Sequence, residues 1–164
     1  MAYRRQWGVD ARVLRVSNPF GPGQNIQGQL GAASIFAARA LMNEPIEIWG
    51  GGETVRDYVY IDDVVEAFIL MMTRSPDAFI GIEPILNVGA GKGVSLNDVV
   101  RLLNNILSRR VQVIHRSARK FDVDINVLDI SLAGRVLRWM PATTFEEGMR
   151  KHIRYMQDVL VKPV

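Results

Sequence analysis

The sequence predicts an α/β fold, and three observations carry that prediction. Short stretches that alternate polar and apolar residues, at 11–16 and 46–49, stand apart from longer stretches whose apolar residues recur at helical spacing. Three of the longer stretches open with Ser, Thr or Asp and carry an acidic residue three positions later, the pattern of a helix start. Clusters of proline and glycine, at 17–24 and 50–52, punctuate the two kinds of segment.

Taken in order, Ala-Arg-Val-Leu-Arg-Val at 11–16 reads as a strand. Two prolines and two glycines follow within 17–24, a density that excludes regular structure. Alanine-rich residues 30–42 read as a helix, with Leu30, Ile35, Phe36, Leu41 and Met42 available for packing and small side chains that let a neighbour approach closely. Asn43-Glu44-Pro45 ends it, and Ile46-Glu47-Ile48-Trp49 alternates as a second strand. Gly50-Gly51-Gly52 then marks a turn or a close approach to a ligand. Asp63 with Glu66 opens a helix ahead of Phe68-Ile69-Leu70-Met71-Met72. Ser95 with Asp98 opens another, carrying Leu96, Val99, Val100, Leu103 and Leu107. Thr144 with Glu147 opens the last, with Phe145, Met149, Ile153, Met156 and Leu160 in one stripe. Further strands are predicted at 84–88, 111–115 and 125–129. With no internal repeat, low-complexity tract or long linker, residues 1–164 read as one domain.

Composition excludes several functions. The chain contains no cysteine, which removes disulfide scaffolds, thiolate nucleophiles and thiolate zinc sites. His115 and His152 are the only histidines, too few for a multi-histidine metal site. No apolar run approaches the roughly 20 residues of a membrane span, and the first residues have no apolar core behind their arginines. A soluble, cytoplasmic protein with no membrane partner is expected. The net charge of +3 does not indicate nucleic acid unless a basic face is concentrated. One concentration exists, with Arg101, Arg109, Arg110, Arg116, Arg119 and Lys120 against Asp122 and Asp124. It suits either solvated surface, which charge alone favours, or a compact polyanion such as a diphosphate.

Asn87-Val88-Gly89-Ala90-Gly91-Lys92-Gly93 follows a strand and precedes a helix, as a phosphate-binding turn does. Its glycines do not keep the G-x-G-x-x-G spacing, so a tight structural turn is the better reading. No serine sits in a G-x-S-x-G elbow.

The most specific signal is a set of motifs in order. Arg15-Val16-Ser17-Asn18-Pro19-Phe20-Gly21-Pro22-Gly23-Gln24 comes first, then Pro45-Ile46-Glu47-Ile48-Trp49-Gly50, then Arg56-Asp57-Tyr58-Val59-Tyr60-Ile61-Asp62. The Asn-Val-Gly-Ala-Gly turn, Ser117-Ala118-Arg119-Lys120-Phe121-Asp122, and Asp129-Ile130-Ser131 ahead of Leu137-Arg138-Trp139-Met140-Pro141 complete the set. Together they resemble the C-terminal half of the extended short-chain dehydrogenase/reductase family, the NAD-dependent nucleotide-sugar epimerases and dehydratases of the UDP-glucose 4-epimerase kind. The resemblance implies the last parallel strands of an extended Rossmann-type fold plus a small nucleotide-sugar-binding subdomain.

It also implies roles. Asn18 and Gln24 fall in the family's substrate loop, and Asn18 would bond a diphosphate or sugar oxygen. Arg56 and Arg119 match the two family arginines that meet the diphosphate, for which a guanidinium offers paired donors. Asp122 would accept from a ribose hydroxyl, and Glu47 and Trp49 lie on the strand that passes the uracil or thymine base. Ser17 and Pro19 stand on the cofactor side. Asp62 and Asp63 read as helix caps, and Trp139 and the methionine-rich faces as core. Phe121 departs from the family's glycine, which puts the backbone near Arg119 in doubt.

Neither the G-x-x-G-x-x-G fingerprint nor the Tyr-x-x-x-Lys pair of the family occurs in these residues. The expectation is therefore a part of an NAD-dependent enzyme that binds no NAD and is inactive by itself, with a UDP- or dTDP-linked sugar as its ligand. A stand-alone, non-catalytic nucleotide-binding module is the alternative. A homodimer is expected from the strand edge and apolar faces that such a half-fold leaves open.

Overall fold

Parallel pairing joins the short alternating segments, and helices fill the chain between them. The structure is a computed structural model and describes residues 2–25, 31–119 and 122–160. In chain order it holds α1 (Ala2–Trp7), β1 (Val13–Val16), β2 (Asn18–Phe20), α2 (Ala32–Leu41), β3 (Ile46–Trp49), β4 (Val55–Tyr60) and α3 (Ile61–Thr73). A 3₁₀ turn at Pro76–Phe79 leads to β5 (Ile85–Val88), β6 (Gly93–Ser95), α4 (Leu96–Leu107), β7 (Val113–Arg116), β8 (Ile125–Asn126), α5 (Ser131–Leu137) and α6 (Phe145–Leu160). The expectations for Leu30, Lys120, Phe121 and the side chain of Leu160 lie outside what is described.

β1 runs parallel to β5, β3 to β7, and β2 to β4. The first half of β4 is shared by antiparallel β6 and parallel β8. This mixed α/β architecture of parallel pairs agrees with the predicted fold class. One core cluster gathers around α2, α4 and α6, with Ile46 and Ile48 of β3 beneath them. The second joins α3 and α5 to Leu86 and Val88 of β5, with Trp139 buried as expected. Ala33, Ala37, Ala38 and Ala40 are buried, which is how the alanine-rich helix meets α4 and α6 closely. Gly148 on α6 serves the same end, because a Cβ there would lie 2.8 Å from the Phe20 ring.

Two of the three helix starts follow their sequence signals. Ser95 Oγ accepts from the Asp98 N–H at 3.0 Å while the Asp98 carboxylate accepts from the Ser95 N–H at 3.3 Å. Thr144 and Glu147 exchange the equivalent bonds at 3.2 and 3.0 Å. Met149, Ile153 and Met156 bury their side chains as one stripe.

The third differs. Tyr60, extended at the end of β4, occupies the cap position, so α3 begins at Ile61 and neither Asp62 nor Asp63 caps it. Asp63 is instead the third helical residue, buried, and accepts from the backbone N–H groups of Ala142 and Thr143, each at 3.1 Å. Trp139 Nε1 donates to the Asp63 carbonyl at 3.1 Å, so this residue clamps the α5–α6 connection to α3. The apolar run it precedes is split, with Met71 buried and Phe68, Ile69 and Met72 exposed.

Residues 17–24 also depart from expectation, since Asn18–Phe20 forms a strand. Among the described residues it pairs on one side only, with β4, so the N–H that Pro19 lacks is not needed on the other. Strand 111–115 shifts to Val113–Arg116, strand 125–129 shortens to Ile125–Asn126, and Met42 is exposed beyond the helix end. Among the described residues, no helix is long and apolar enough to cross a membrane.

Candidate functional site

β3 and β7 present their second face away from the α-helical core. Alternation turns Ile46 and Ile48 inward and Glu47 and Trp49 outward, and the parallel register sets Arg116 opposite Trp49. Arg116 turns back to Glu47 at 2.9 Å. The hydrogen bond and charge from Arg116 hold the Glu47 carboxyl below the usual range. Trp49 is 40% exposed, and the Arg119 guanidinium carbon lies 4.1 Å from its ring centroid. The loop reaches this position because β7 is zipped to the glycine turn. Gly50 N–H donates to the Arg116 carbonyl at 2.9 Å, and His115 Nδ1 bonds the Gly50 carbonyl at 2.8 Å.

β4 carries the second group. The Arg56 guanidinium donates to the carbonyls of Val55 at 2.9 Å and Val123 at 2.6 Å, which fixes the segment that follows Asp122. Asp122 is exposed, and its N–H donates to the Arg119 carbonyl at 3.4 Å. Beside β4, Asn18 Nδ2 donates to the Asp57 carbonyl at 3.0 Å, leaving its second N–H and its oxygen uncommitted to that bond. Pro19 is exposed, while Ser17 Oγ is buried without a hydrogen-bond partner among the described residues. Gln24 is drawn toward α2, its side-chain oxygen accepting from Ser34 Oγ.

The structure therefore brings Trp49, Arg119 and the Glu47–Arg116 pair onto one face and ties Arg56 to the loop bearing Asp122. Among the described residues no hydrogen bond or ring contact joins Arg56 to Arg119, and Gln24 is held against a helix. Elsewhere in the basic concentration Arg101 pairs with Asp98 at 2.5 Å, and Arg109 bonds Asn43 and the Ala40 carbonyl.

The Asn-Val-Gly-Ala-Gly turn is structural, as its spacing indicated. The N–H groups of Ala90 and Gly91 are taken by Asp57, whose carboxylate accepts from them at 2.6 and 3.2 Å and from Leu128 at 3.2 Å. Gly89 is required here because a Cβ would fall 2.3 Å from that carboxylate. Asp57 and Arg116 are the two organising residues that sequence reasoning passed over. The signal for Asp57 was an acid inside the Arg-Asp-Tyr segment, and for Arg116 it was a cation at strand spacing near a strand that holds Glu47.

The model of the NAD dependent epimerase/dehydratase family matches residues 1–89. A dTDP-4-dehydro-6-deoxyglucose reductase of Escherichia coli is 32% identical over 141 residues, covering 86% of this chain and 43% of the relative. A UDP-glucose 4-epimerase of Mycolicibacterium smegmatis is 28% identical over 156 residues, covering 95% and 48%. Among solved structures, UDP-glucose 4-epimerase of Thermotoga maritima with UDP-glucose superposes with a TM-score of 0.89 at 36% identity, covering 97% of this chain and 50% of that one. The chain thus spans about half the length of the relatives it matches. On the family match, the ordered motifs and the shared fold, the chain belongs to the NAD dependent epimerase/dehydratase family.

Proposed function

We propose that this chain is the substrate-holding part of an NAD-dependent nucleotide-sugar epimerase or dehydratase of the UDP-glucose 4-epimerase type. Its ligand is a UDP- or dTDP-linked sugar, bound along the outer face of β3 and the loop carrying Arg119 and Asp122. One observation carries the reading: on a face where Arg116 is neutralised by Glu47, Arg119 rests on Trp49 with no carboxylate partner among the described residues. An unneutralised guanidinium beside an exposed indole suits a ligand that joins an anion to an aromatic base. The relatives' names supply the class, and the Thermotoga structure contains UDP-glucose.

In this reading Arg56 and Arg119 meet the diphosphate, Asp122 accepts from a ribose hydroxyl, and Asn18 directs its free amide groups at the diphosphate or sugar. Binding energy gathered on the nucleotide would then hold the sugar in place for chemistry performed elsewhere in the enzyme. Ser17 and Pro19 follow the carboxyl end of β1, where doubly wound folds bind dinucleotides. The partnerless Ser17 hydroxyl fits a polar edge of NAD, which supplies hydride acceptance and return when bound. By itself the chain is proposed to be inactive. Calorimetric titration with UDP is the test. Arg56→Ala and Arg119→Ala are each expected to weaken binding by about 1.5–3 kcal/mol, the range for hydrogen bonds to charged groups. Equal affinities in the three proteins would remove these arginines from the site.

The same reading includes self-association. Among the described residues β1 pairs only with β5. Tyr3 and Trp7 on α1, Val9, Val13 on β1, and Phe68, Ile69 and Met72 on α3 are exposed. An open parallel edge with apolar surroundings favours pairing with a second copy across a twofold axis. Sedimentation is expected to show a concentration-dependent dimer. A profile that stays monomeric to about 100 μM, the range of an association of about −5.5 kcal/mol, would rule it out.

A further inference from the structure

The two arginines on the outer face of β3 and β7 are held by unlike means. Arg116 has a carboxylate, whereas Arg119 lies over the Trp49 ring with no carboxylate partner among the described residues. An exposed cation–π contact shifts an equilibrium by a factor of about two to five. A hydrogen bond from a charged guanidinium to an anion is worth about tenfold or more. A diphosphate arriving at this face therefore offers Arg119 a stronger partner than Trp49 does.

Resting on the nucleotide-binding reading above, we propose that the Trp49 indole is a platform used in turn. Arg119 covers it in the free protein and passes to the diphosphate on binding, and the vacated indole face receives the base. The device couples the two ends of the ligand. A base without phosphate must displace Arg119 unaided, while a diphosphate uncovers the indole for the base. Trp49 and Arg119 thereby select for a nucleotide over a nucleoside, beyond the affinity that either contact provides.

The experiment titrates the full chain with UDP, uridine and inorganic pyrophosphate, following tryptophan emission and calorimetric heat in parallel. UDP and pyrophosphate are expected to change the emission. Trp49→Phe should abolish that change while Trp7 and Trp139 still emit. Arg119→Ala is expected to weaken UDP about tenfold or more and, against ordinary intuition, to tighten uridine about two- to fivefold by leaving the indole bare. Both positions are exposed, so circular dichroism should confirm unchanged folds. UDP heat with silent Trp49 emission would overturn this inference alone, as would an Arg119→Ala variant in which uridine binding is unchanged or weaker. An absence of UDP heat altogether would overturn the functional reading and this inference with it.

Discussion

Asp57→Ala is expected to lower folding stability by about 3–5 kcal/mol, because it strands several backbone donors at about 1–3 kcal/mol each. The residue is 0% exposed, and its carboxylate is the acceptor for the Ala90, Gly91 and Leu128 N–H groups. Alanine would strand those donors and leave a void beside Gly89. It would also release the segment that joins β8 to α5 from the turn that follows β5. Asp57→Asn should recover little, because its NH₂ group would face a backbone donor. Denaturant titration of the three proteins checks this. A loss under about 1 kcal/mol would show that water replaces the carboxylate without penalty.

The second large effect is a dependence on pH that traces to His152. The residue is buried on α6 beside Phe20, at 6.4 Å between ring centroids, and among the described residues neither ring nitrogen has a hydrogen-bond partner. Burial pushes its pKa down to about 4. In the unfolded chain the imidazole takes up its proton near 6.5. Between those values the unfolded state holds more protons, so stability rises with pH and is lost as pH falls from about 6.5 to 4. The loss between pH 7.5 and 4.5 is expected to be about 2–3 kcal/mol. His152→Phe keeps a ring of similar shape and should remove that component, so the difference between the two proteins isolates it from the carboxylates. Parallel pH profiles for wild type and variant would refute the assignment.

These two residues also show where sequence reading stops. His152 lies within the helical segment opened by Thr144, yet no pattern marks it as wholly enclosed. That depends on Phe20, brought to α6 by a strand that its prolines had argued against. Asp57 sits in β4, whose second half is buried without alternation, so the strand gives no period-two signal. Asp63 has the spacing of a capping residue, but the backbone of Tyr60 fills that position first and the carboxylate turns to a distant loop.

What the sequence by itself determined were features closed within a few residues. The Ser95–Asp98 and Thr144–Glu147 caps, the helix stripe below them, the alternation of β3 and the spacing misfit of the glycine turn all depend on neighbours along the chain. The ordered motifs also pointed to the family. Only the tertiary structure decided which N–H groups Asp57 would satisfy, which arginine would find a carboxylate, and which would be left on Trp49. The physical reason is register. Parallel strands joined through a helix meet at an offset set by core packing, and a shift of one residue would turn Trp49 and Glu47 to the other face.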